Sequence, residues 1–115
     1  MRIYLPASPE SLARWVEAGE VHADVEPVLA TDESEDAEYL ALMTAADLSA
    51  GKLVGRGRRV VVVAEVGSPS ERPVPMSRVV AVHADTEDVT AEVAGDEDAP
   101  DLGWFANQEI RDLIG

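Results

Sequence analysis

The run Val60-Val61-Val62-Val63-Ala64 is the strongest single constraint in the chain. Four consecutive β-branched residues favour an extended strand. A strand with one face in water alternates apolar and polar residues, and this one does not. It must be covered on both faces, so it predicts a central strand with helices or other chain packed above and below. That excludes an all-helical bundle. At 115 residues the chain has the length of one domain. A chain of that size buries enough surface to fold without a covalent staple, and it contains no cysteine.

The remaining elements are read around that strand. Residues 2–5 predict a short strand, with Ile3 and Leu5 on one face and Pro6 ending it. Ser8-Pro9 is a helix start, a capping hydroxyl followed by proline at the first helical position. Leu12, Trp15 and Val16 follow at helical spacing, and Gly19 is a natural stop. Residues 25–30 predict a second strand, placed at an edge because Pro27 cannot donate to a ladder. The acidic run 31–36 leads into the longest helix, where its carboxylates suit the positive end of the helix dipole. Tyr39, Leu42, Met43, Ala46 and Ala50 mark its expected apolar face, and Gly51 closes it. Residues 67–75 read as loop, 79–84 as a strand, and 89–93 as a shorter strand signal. Residues 101–114 read as a final helix capped by Asp101. The expected order is βαβαββα. The fold class is α+β: a single domain with a mixed four-stranded sheet packed by three helices, parallel pairs at the front and an antiparallel pair near the back.

Charge narrows the function classes. Asp and Glu number 23 against 9 Lys and Arg, a net charge of -14. Such a field repels nucleic acid and anionic membranes. No apolar run reaches the roughly 20 residues of a membrane helix, and the N-terminal segment lacks the apolar stretch of a signal peptide. A cytoplasmic protein is the expectation. The composition points to a non-enzymatic binding or regulatory module whose partner is another protein with a basic surface. The alternative is a small-ligand or metal-binding protein, extending to a small enzyme. No cofactor motif is present. A free edge strand also admits pairing into a homodimer.

Several constellations are candidates for chemistry. His-Ala-Asp occurs twice, as His22-Ala23-Asp24 and His83-Ala84-Asp85. On a strand, residues i and i+2 share a face, so each repeat can present an imidazole with a carboxylate, and two together would suit a divalent metal. The competing reading is two surface histidines with acidic neighbours. Arg56, Arg58 and Arg59 form the only basic cluster and are candidates for an anion site; alternatively they pair with the acidic turns. Asp96-Glu97-Asp98 with Asp101 lacks the spacing of a calcium-binding EF-hand loop. No serine lies in a Gly-x-Ser-x-Gly elbow, and no catalytic residue is assigned. Trp104, Phe105, Gln108 and Glu109 sit together on the expected last helix. They read either as core packing or as an aromatic patch for a protein partner.

The two ends of the chain carry a resemblance. Met1-Arg2-Ile3-Tyr4-Leu5-Pro6-Ala7 and Trp104-Phe105-Ala106-Asn107-Gln108-Glu109-Ile110 resemble a family of small, uncharacterised actinobacterial proteins. Its members open with a similar Met-Arg-Ile-Tyr-Leu-Pro segment and close with Trp-Tyr-Ala-Thr-Gln-Glu-Ile. Residues 35–39, Arg58-Arg59-Val60-Val61 and Val80-Ala81-Val82-His83 are similar to further short motifs of the family. The resemblance implies an actinobacterial source and carries no activity, cofactor or site residue to transfer.

Overall fold

The computed structural model describes residues 1–23, 25–96 and 99–114. Its centre is the valine run. Strand β5 (Val60–Glu65) lies between β1 (Arg2–Ala7) and β7 (Val79–Ala84). Two edge strands, β3 (Val28–Leu29) and β9 (Gly103–Ala106), complete a five-stranded sheet in the order β3-β1-β5-β7-β9. Short ribbons flank it: β2 (Glu20–Val21) pairs with β6 (Val74–Pro75), and β4 (Arg56–Gly57) pairs with β8 (Val89–Thr90). The described helices are α1 (Pro9–Ala18), α2 (Glu35–Ala50), α3 (Ala91–Ala94) and α4 (Ile110–Ile114).

The α+β class holds, but the sheet is antiparallel throughout rather than mixed, and it has five strands rather than four. The parallel expectation assumed that the strand after α1 returns beside β1. Instead β2 leaves the sheet to pair with β6, and the neighbours of β1 are β3 and β5. The edge position expected around Pro27 is observed, in a strand of only two residues.

The central strand is covered on both faces. Val60, Val62 and Ala64 face one core with Leu12, Trp15 and Ile110. Val61 and Val63 face a second core with Ala41, Ala45 and Ala46 of α2. Pro6 does not end β1, which continues to Ala7. Met1 and Val66 exchange two hydrogen bonds, so alternate residues Ile3, Leu5 and Ala7 face β5 and Pro6 faces the other way. There β3 has already ended, and the missing N–H removes no ladder bond.

Capping follows the expected chemistry in α1. The Ser11 N–H donates to Ser8 Oγ at 3.1 Å, the Ser8 N–H donates to Ser11 Oγ at 2.9 Å, and Gly19 closes the helix at φ 77°. In α2 the buried face is Ala41, Ala45, Ala46 and Ser49, and Tyr39 is exposed. Of the expected face, Ala46 is buried and Leu42 packs against the second core, while Tyr39 is left in water; the helix turns its alanines to the sheet because they allow the closest approach. Ser49 has a second role. Its hydroxyl donates to the Ala7 carbonyl at 2.7 Å and accepts from the Val60 N–H at 2.9 Å, so it is spliced into the β1–β5 ladder.

Candidate functional site

The two histidines lie at different elements. His22 follows β2, is exposed, and lies 3.2 Å from Glu20. His83 lies on β7, opposite Val61 on one side and Trp104 on the other. Asp24 lies outside the described residues. Asp85 is fully engaged by Arg59, and both side chains are only 2% exposed. Asp85 Oδ2 accepts from the Arg59 backbone N–H at 2.8 Å and from Nε at 2.9 Å, while Oδ1 accepts from an Nη at 2.7 Å. The same Nη donates to the Pro100 carbonyl at 2.7 Å. Asp85 therefore serves as a buried counter-ion rather than a metal ligand. Among the described residues no three His, Asp or Glu side chains gather as a metal would require.

The arginine cluster is split by strand alternation. Arg59 points into the protein, which removes it from any surface anion site. Arg58 Nε lies 3.4 Å from Asp88 Oδ1, and an Nη of Arg56 donates to the Asp88 carbonyl at 3.3 Å. Both line a cleft of about 620 Å³ with Ser8, Glu10, Lys52 and Leu53.

The aromatic segment is also split. The expected helix 101–114 is a strand, a 3-10 turn over Asn107–Glu109, and one short helix. Backbone pairing with β7 wins here over helical spacing. Successive residues of β9 point to opposite faces. Phe105 packs against the first core. Trp104 faces the other way and is 61% exposed. Gln108 and Glu109 are exposed, and Glu109 Oε1 accepts from the Ala106 N–H at 3.1 Å, so its carboxylate covers part of the β9 edge.

Trp104 and half-buried His83 sit on the same face of the sheet as Val61 and α2. Helix α2 packs on β1, β3 and β5, which leaves this corner of the β7–β9 face outside its cover. The outer side of α2 adds exposed Tyr39, Leu40 and Leu48. Exposed carboxylates lie on the same elements: Glu35, Asp36 and Asp47 on α2, and Asp101 just before β9. At the far edge, an acidic recess is lined by Asp32, Glu33, Glu38 and Glu65 around Arg2. Burial alone would raise the Glu65 pKa, but its hydrogen bond with Arg2 at 2.8 Å holds it below the usual carboxylate range.

A family model covers residues 1–114, that of DUF6912, a family of unknown function. The chain belongs to this family. No curated protein and no solved structure is significantly similar to it. Among the described residues no helix is long and apolar enough to cross a membrane.

His83 gives this corner a pH signature. Burial lowers its pKa from the ordinary 6.5. The unfolded chain therefore takes up the proton first as pH falls, and this side chain's contribution to stability is lost on going from about pH 6.5 through the lower folded-state pKa. Urea unfolding of wild type and His83→Gln across that range is expected to show wild type losing stability relative to the variant toward acid. Parallel curves would place His83 in a fully hydrated environment.

Proposed function

We propose that this chain is a non-enzymatic protein-binding module. Its docking face is the Trp104 side of the sheet, and its partner carries apolar residues ringed by lysine and arginine. The observation that carries the reading is Trp104, a large aromatic left 61% exposed on a short edge strand. Leaving it in water forfeits the burial free energy that Trp15, 5% exposed in the core, obtains. Exposed aromatics near apolar neighbours are the side chains that dominate protein interfaces. The chain's acidity supports a basic partner: with a net charge of -14, long-range attraction to a cationic surface would speed encounter and suppress acidic competitors.

The test compares immobilised wild type with Trp104→Ser as baits for cell extract, with elution in rising salt. A basic protein held by wild type, released by salt and not held by the variant is the expected outcome. When that protein is purified and titrated back, the substitution should weaken binding about 30-fold, a central hot-spot effect of about 2 kcal/mol. Equal retention by both baits would remove Trp104 from the interface.

A further inference from the structure

We propose that the cleft between the start of α1 and β4 binds a small phosphate ester of about mononucleotide size. Arg56 and Arg58 would hold the phosphate, and Leu53 and Val54 would lie against the body of the ligand. Three of the chain's nine cationic residues, Lys52, Arg56 and Arg58, line this one cleft in a protein whose net charge is -14. Arg56 and Arg58 stand at i and i+2 of an extended segment and so project to the same side, while Arg59 turns inward to Asp85.

The backbone that carries the two arginines is held in place. Arg56 belongs to β4, whose pairing with β8 is reinforced by the Ala91 N–H donating to the Gly55 carbonyl at 2.9 Å. Gly55 takes φ +76°, a conformation that suits glycine. Gly57 between the arginines leaves room for Leu53: a Cβ there would come within 2.9 Å of Leu53 Cδ2. Asp88 engages each arginine through a single nitrogen at 3.3–3.4 Å, which orients the pair without using up the five N–H donors each carries. Paired guanidinium forks match phosphate oxygens bidentately.

An ester fits better than free phosphate because Pro9, Leu53, Val54 and Leu113 give the wall an apolar part beside the polar Ser8, Glu10 and Asp88. Val54 is 93% exposed, an aliphatic side chain left in water beside the arginines. Glu10 adds an acceptor suited to a hydroxyl or amino group of the ligand. A cleft of about 620 Å³ falls within the range of small-molecule sites.

The test uses the full chain with adenosine monophosphate, inorganic phosphate and adenosine at matched ionic strength, read by melting temperature and calorimetry. Adenosine monophosphate is expected to raise Tm by several degrees at saturation, and the other two markedly less. The double variant Arg56→Gln/Arg58→Gln should weaken binding about 30-fold or more. Val54→Asp, which keeps both arginines and alters only an exposed side chain, should weaken it about tenfold while melting like wild type without ligand. No shift with adenosine monophosphate overturns the proposal, as does an undiminished shift in both variants. Inorganic phosphate binding as tightly as the ester would overturn the assignment to an ester.

Discussion

Asp85→Ala is expected to lower the unfolding free energy by about 3–5 kcal/mol, a large part of what a domain this size has. The substitution leaves Arg59 buried with a full charge and removes three hydrogen bonds between the two residues. Among the described residues, only the Pro100 carbonyl still accepts from the guanidinium. Burial on both sides keeps solvent from screening the loss, as it would at an exposed pair. Arg59→Met/Asp85→Leu is expected to recover most of the loss, because replacing both charges avoids the desolvation cost instead of orphaning one partner. Urea unfolding of the single and double variants is the measurement. A loss under about 1 kcal/mol for Asp85→Ala would mean that water reaches Arg59 at little cost.

The two tryptophans are expected to respond very unequally to truncation. Trp15→Ala should cost about 3–5 kcal/mol, since it empties a large volume in the core formed with Leu12 and Val62. Trp104→Ala should stay within about 0.5–1 kcal/mol of wild type, because most of the ring already faces water. Chemical denaturation of both variants checks the contrast. It also underpins the binding test, since an interface residue must be removable without unfolding its own domain. Equal losses would return Trp104 to a packing role.

What the sequence revealed follows from how local each signal is. The valine run announced a strand covered on both faces because burial of β5 is written in its own residues. The Ser8-Pro9 start and the Gly19 stop of α1 were legible because capping is a matter of a few adjacent residues. Pairing partners were not: no feature of residues 20–30 says that β2 will leave for β6 while β3 takes the edge beside β1. The segment 101–114 misled because Leu102, Ala106, Ile110 and Leu113 fit a helical period, whereas β7 offered a ladder to its first half. The arginine run showed its charge but not its partition. One residue of it neutralises a buried aspartate and two line a cleft, and that difference depends on which way the backbone alternates where the chain enters β5. Exposure of Trp104 was equally hidden, since a tryptophan reads the same in either setting until its face of the sheet is known.

The Ser49 hydroxyl shared between Ala7 and Val60 has a consequence for where α2 presents its outer residues. The face that α2 turns to the sheet is mostly alanine, which is smooth, and smooth surfaces tolerate sliding by a turn at little cost. A hydroxyl bonded to the backbone of two strands acts as a detent: displacement of α2 along its axis would orphan the Ala7 carbonyl and the Val60 N–H together. The longitudinal position of the whole helix, and with it the spacing of Tyr39, Leu40 and Leu48 above the sheet, is thereby indexed to a single oxygen atom.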